Sequence, residues 1–202
     1  MEQFRSVTGS AAPLVAPNID TDIIMPKTFL KGVDRKGLDI GVFNSLRFTD
    51  GKPNTEFVLN KPGYEDCKFL ITGANFGCGS SREHAVWGLY QLGIRALIGS
   101  TFAGIFNDNC RNNGILTINL PHETISDLAE CVTHPEHNEL TVDLENQTIR
   151  INATGDEIPF EIEPARKQAL LQGLDPVGAT LQHVAEIRAF EQDYRIRNPW
   201  YF

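Results

Sequence analysis

The stretch Gly73-Ala-Asn-Phe-Gly-Cys-Gly-Ser-Ser-Arg-Glu-His84 concentrates residue types that do chemistry. It stands between an apolar run, Phe69-Leu-Ile-Thr72, and a helical pattern, Ala85-Val-Trp-Gly-Leu-Tyr-Gln-Leu92. A strand, a glycine-rich turn and a helix are expected in that order. A turn of this kind presents unpaired backbone N–H groups at a helix N-terminus to an anion. Gly77 and Gly79 can take positive φ and let a ligand approach the backbone. Ser80, Ser81 and Arg82 add two hydroxyls and a fixed positive charge. The expected chemistry is the binding of a carboxylate or phosphate, with a hydroxyl available for proton transfer. The plain alternative is a strand–helix turn in which Ser80 or Ser81 only caps the helix.

Three better-known loops do not fit. No Gly-Lys-[Ser/Thr] follows the turn, so the lysine of a P-loop is missing. The glycines at 73, 77 and 79 do not match the dinucleotide spacing G-x-G-x-x-G. The serines follow both glycines of Gly77-Cys-Gly79, which is not the G-x-S-x-G nucleophile elbow. Helical spacing puts Glu83 and His84 on different sides from Arg82, and His84 reads as a structural residue holding the loop. Cys78 reads as a small buried residue of a tight turn rather than a ligand or nucleophile. In Asn18-Ile-Asp-Thr-Asp-Ile-Ile-Met-Pro26, the residues Asp20, Thr21 and Asp22 suit an Asx-turn better than a metal site.

The elements around these residues read as α/β. A strand over 67–73 and a helix over 82–92 are followed by a short buried strand over 94–98. A helix over 102–109 is expected, with Phe102, Ile105 and Phe106 on one face. Asn112-Asn-Gly114 forms its C-cap. A strand over 115–118, a helix over 122–130, a hairpin over 139–151 and a strand over 158–162 come next. Pro164 opens a helix that Gly173 stops. Strands alternating with short helices imply βαβ units and a partly parallel sheet. Residues 1–30 read as a turn-rich opening. Residues 31–65 show little periodicity and read as a mobile loop, either a functional lid or a surface excursion. A charged and aromatic extension occupies 185–202. The whole of 1–202 reads as one domain.

At 202 residues, 41% hydrophobic and 22% charged, the composition is that of an ordinary globular protein. The net charge of −8 argues against a nucleic-acid partner, though not against a local basic pocket. No apolar run approaches the ~20 residues that span a bilayer, and no signal peptide is evident. A cytoplasmic location is expected. Four cysteines without a C-x-x-C pair suit a reduced compartment and speak against a metal or iron–sulfur site built by this chain alone.

Gly79-Ser-Ser-Arg-Glu-His84 resembles the serine loop of the mobile C-terminal domain of the aconitase superfamily. Asn18 to Pro26 resembles that domain's Asp/Thr-rich second signature. With Ser100-Thr-Phe-Ala-Gly-Ile-Phe-Asn107, Asn112-Asn113 and Gly173-Leu-Asp-Pro-Val-Gly-Ala-Thr-Leu-Gln182, the chain is similar over roughly residues 5–190 to the small-subunit family of 3-isopropylmalate dehydratases. The resemblance implies a swivelling β/β/α domain, a mixed sheet flanked by helices, that closes over a separate large subunit. It implies a hydro-lyase that isomerises 2-isopropylmalate to 3-isopropylmalate in leucine biosynthesis. A [4Fe–4S] cluster would belong to the large subunit, and this chain would bind no cofactor or metal of its own. By the same resemblance Ser80 is the catalytic base. Gly79, Ser81 and Arg82 hold the carboxylates of a small dicarboxylate substrate. Phe29 and Leu30 are available for its apolar group. Related dehydratases acting on citraconate and methylmalate or on homoaconitate are the alternatives, followed by a non-catalytic anion-binding module.

Overall fold

The computed structural model describes residues 1–30 and 35–201. In chain order the elements are β1 (Ser6–Leu14), α1 (Thr21–Ile24), α2 (Asn44–Arg47), β2 (Phe48–Thr49), β3 (Lys52–Pro53), β4 (Phe69–Thr72) and α3 (Glu83–Leu92). Then come β5 (Ala96–Gly99), α4 (Gly104–Asn113), β6 (Leu116–Asn119), α5 (His122–Cys131), β7 (Glu139–Asp143), β8 (Thr148–Ile151) and β9 (Glu157–Pro159). The helices α6 (Pro164–Gln172), α7 (Pro176–Leu181) and α8 (Val184–Arg197) close the chain.

One sheet runs in the order β6-β5-β4-β1-β7-β8-β9. Its β6-β5-β4-β1 half is parallel and its β1-β7-β8-β9 half antiparallel. The mixed sheet flanked by helices is the expected architecture. Alternation along the strands builds a core on each face. Phe69, Ile71, Ala96, Ile98, Leu116 and Ile118 point to one face, where Ile125 and Leu128 of α5 cover them. Leu70 and Leu97 point to the other, against Val86 and Leu89 of α3 and Phe106 of α4. Burial on both faces is why the interior strand β4 reads as an uninterrupted apolar run.

The centre of the sheet is where sequence and structure part. Residues 1–30 were expected to be turn-rich, yet β1 joins the two halves of the sheet. Ala11 pairs with Phe69 on one side, and Thr8 with Thr141 on the other. Gly9, Ser10, Ala11, Ala12 and Pro13 carry little strand propensity of their own. Their pairing is imposed by both neighbours, and Ala11 and Ala12 are fully buried where two cores converge. Pro13 is tolerated because β7 pairs only with Ser6 to Ser10, leaving it a single neighbour.

A second departure concerns α4. Phe106 is 3% exposed but Ile105 is 60% exposed. Phe102 precedes the helix and bridges to Phe76 in extended conformation, so the three residues do not share a face. Within a helix, neighbours 105 and 106 point ~100° apart. Gly114 and Gly173 end α4 and α6 as expected.

Residues 31–34 of the non-periodic stretch lie outside the described residues. From residue 35 to 65 the chain holds α2, the β2–β3 hairpin and single 3-10 turns at Leu38–Gly41 and Val58–Asn60. Asparagine side chains substitute for a regular ladder here. Asn60 Nδ2 donates to the carbonyls of Arg47 (2.6 Å) and Asn54 (2.9 Å), and Asn54 Nδ2 to that of Leu46 (3.0 Å). At the other end, α8 buries no residue, so no core-facing periodicity marks it as a helix. No described helix is long and apolar enough to cross a membrane.

Candidate active site

Strand β4 delivers the chain to Gly73, and the serine loop then runs beside residues 18–21. Asn18 N donates to the Ala74 carbonyl at 2.9 Å, Gly77 N to the Ile19 carbonyl at 2.8 Å, and Thr21 N to the Cys78 carbonyl at 2.9 Å. Thr21 Oγ1, itself buried, donates to the Ser80 carbonyl at 2.8 Å. The two sequence motifs, nearly 60 residues apart, are therefore one object. The first fixes the backbone of the second.

The side chains of Ser80 and Ser81 stay free. Both residues are exposed, and neither hydroxyl has a hydrogen-bond partner among the described residues. The cap residue of α3 is Arg82, with no side-chain capping bond. The alternative in which a serine merely caps α3 is thus not what the structure shows. Gly77 sits at φ +78° and Gly79 at φ +89°, the left-handed region expected of both.

Ser80, Ser81 and Arg82 face Gly104 and Ile105 of α4 across a cleft of about 130 Å³. Two helices, α3 and α4, begin at this cleft, and neither cap residue uses its side chain to satisfy the first N–H groups. Both starts favour an anion. Ligand sites that enclose a small molecule usually occupy ~300 Å³ or more. This cleft alone does not enclose one. A larger one, about 390 Å³, lies on the other face between the end of β1 and α5. Pro13, Val15, Ile125 and Ala129 line it, with neither lysine nor arginine, so it offers no fixed counter-charge to a dicarboxylate.

The Asp-Thr-Asp residues divide three tasks. Asp20 Oδ1 accepts from Ile23 N at 2.8 Å and caps α1, as the Asx-turn reading expects. Thr21 holds Ser80. Asp22 does what no local pattern signals: its carboxylate pairs with both Nη atoms of Arg82, at 2.5 and 2.9 Å. That contact spans 60 residues of sequence, and only the loop pairing brings the two together. Replacing Asp20 by alanine should destabilise the protein by ~1 kcal/mol through loss of the cap. A urea midpoint that does not fall would show that the bond adds nothing.

The remaining candidates settle into the scaffold. His84 packs its ring on Trp87 at 4.7 Å between centroids. Glu83 Oε1 accepts from Asn113 Nδ2 at 2.8 Å, and Asn113 Oδ1 from Trp87 Nε1 at 2.9 Å, tying α3 to α4. Phe29 and Leu30 are half-buried against the α3-side core and do not line the cleft. Among the described residues no three His, Cys, Asp or Glu side chains converge to hold a metal. Burial pushes the Cys67 thiol up to about 12 and the Cys110 thiol upward as well. Both are buried free thiols.

Known proteins resemble the chain along its whole length. A model of the aconitase C-terminal domain matches residues 1–123 and a LeuD_N model residues 127–164. A model of the C-terminal domain of the 3-isopropylmalate dehydratase small subunit matches residues 177–202. The chain is 55% identical to 3-isopropylmalate dehydratase small subunit 1 of Mannheimia succiniciproducens, over 99% of this chain and 98% of that one. It is 50% identical to small subunit 2 of Salmonella typhimurium, over 99% and 96%. A crystal structure of 3-isopropylmalate dehydratase from Methanocaldococcus jannaschii superposes with a TM-score of 0.65 at 25% identity, covering 92% of this chain and 99% of that one. With whole-length identity of this order and the serine loop in place, the chain belongs to the small-subunit family of 3-isopropylmalate dehydratases, within the aconitase superfamily.

Proposed function

We propose that this chain is the small subunit of a hydro-lyase that interconverts 2- and 3-isopropylmalate through isopropylmaleate in leucine biosynthesis. The observation that carries the reading is an exposed, unbonded Ser80 next to a fixed guanidinium, in a cleft too small to enclose the substrate. The names of its relatives support it. The chain acts in the cytoplasm as a single swivelling domain, and its large partner covers the open side of the cleft.

Ser80 takes the proton from the carbon α to a substrate carboxylate. Negative charge then grows on that carboxylate. Arg82, the backbone N–H of Gly79, the Ser81 hydroxyl and the two helix starts meet it with donors already in place. A serine hydroxyl is a weak base in water. Closing the cleft around the Arg82 guanidinium and the two helix N-termini favours its ionised form. A [4Fe–4S] cluster held by the large subunit would supply Lewis acidity at the substrate hydroxyl. Arg82 also donates to the Met25 carbonyl at 3.3 Å, so the segment carrying Phe29 and Leu30 departs directly from the arginine's cage. Phe29 and Leu30 lie outside the cleft, and only the family resemblance assigns them to the isopropyl group.

The test is to mix the chain anaerobically with the cluster-loaded large subunit and follow alkene absorbance. The chain alone should be inactive. The mixture should hydrate isopropylmaleate faster than citraconate. Preference for citraconate would reassign the substrate, and no hydration of either would sink the reading.

A further inference from the structure

Arg82 has five N–H donors in a fixed fork, and the structure accounts for three. Nη1 donates to Asp22 Oδ1 at 2.5 Å and to the Met25 carbonyl at 3.3 Å, while Nη2 donates to Asp22 Oδ2 at 2.9 Å. Asp22 therefore grips the end of the guanidinium. The two donors left, Nε–H and the second Nη2–H, are parallel and form its side edge. They have no partner among the described residues. Such an edge matches a carboxylate with two hydrogen bonds.

We infer that Asp22 is a positioning residue: it fixes the guanidinium plane so that the side edge of Arg82, rather than its end, receives a substrate carboxylate. This rests on the reaction assigned above. The burial of the pair fits an orienting role better than a stabilising one. The Arg82 side chain is 15% exposed and that of Asp22 53%. A pair open to water on one side adds little to stability, yet it removes the rotational freedom of a long side chain in a cleft. Were Asp22 a competitor that substrate must displace, it would occupy the edge substrate needs; the free side edge makes displacement unnecessary.

The assembled enzyme decides the matter with four variants: Asp22→Asn, Asp22→Glu, Arg82→Lys and Asp22→Asn/Arg82→Lys. Asp22→Asn should raise KM for isopropylmalate roughly tenfold, the scale of one charge-assisted hydrogen bond, and lower kcat as well, because the same edge meets the charge that grows on the carboxylate. Asp22→Glu should recover part of the loss. In the Arg82→Lys background the Asn substitution should add nothing, because the edge it orients is gone. A fall in KM would make Asp22 a competitor and overturn the inference. So would a rise of the same size in the Lys background, or an unchanged KM with a lowered thermal midpoint.

A second readout does not depend on turnover. In the assembled enzyme carrying a ¹⁵N-labelled small subunit the Arg82 Nε–H resonance should shift on adding isopropylmalate, and Asp22→Asn should abolish that shift. A resonance that ignores isopropylmalate, or shifts alike in both proteins, overturns the inference. An inactive wild-type complex whose Arg82 signal still responds would instead overturn the assigned reaction.

Discussion

Replacing Ser80 by alanine in the assembled enzyme should lower kcat by roughly three orders of magnitude, within the ~10²–10⁴-fold range of a general base. KM should change little. The Ser80 hydroxyl makes no hydrogen bond among the described residues, and what holds the residue is its carbonyl, which accepts from Thr21 Oγ1. Alanine keeps that carbonyl. The loop, the cleft and the docking surface should therefore survive, and the loss should fall on the chemical step. Ser81→Ala is the comparison: it removes an adjacent exposed hydroxyl that donates to the carboxylate, and it should lower kcat less than Ser80→Ala. If Ser80→Ala retains near-normal kcat while Ser81→Ala does not, the two assignments exchange places. If both retain it, neither serine is the base.

How much of this was legible beforehand depends on where the information sits. The serine loop was readable because its chemistry is local: glycines, hydroxyls and arginine lie within about ten residues of one another. So were β4, β5 and β6, whose apolar runs reflect burial on both faces. The strand β1 was not, because Gly9 to Pro13 are small or weakly β-forming, and what makes them a strand is the pair of neighbours waiting on either side. Asp22 escaped for a related reason. Its immediate neighbourhood describes a turn, and its partner Arg82 is reached only after β4 has carried the chain back across the sheet. Helix α8 fails differently. It packs no face into the core, so the periodicity that exposes other helices was never imposed on it.

Gly77 is where loop geometry and packing meet, and Gly77→Ala should destabilise the protein by ~3 kcal/mol or more, since strain and overpacking both contribute. The residue sits at φ +78°, where an L side chain costs ~1–2 kcal/mol. A Cβ placed there would lie 2.1 Å from Cγ of Phe106 and 2.3 Å from its Cδ1, inside van der Waals contact. Phe106 has no room to retreat: it is 3% exposed and meets Phe76 edge-on at 5.6 Å between centroids. Either the ring or the loop must move. Moving the loop breaks the 2.8 Å bond from Gly77 N to the Ile19 carbonyl and with it the alignment that lets Thr21 hold Ser80. Urea unfolding of the isolated chain measures the first consequence and kcat of the assembled enzyme the second. The double variant Gly77→Ala/Phe106→Ala separates them. Phe106→Ala alone opens a cavity costing ~3–5 kcal/mol, but once the ring is gone the steric part of the penalty for alanine at position 77 disappears. The two changes should then cost clearly less together than their sum. Strict additivity would mean that Phe106 does not enforce glycine at this position, leaving backbone conformation alone to explain the residue.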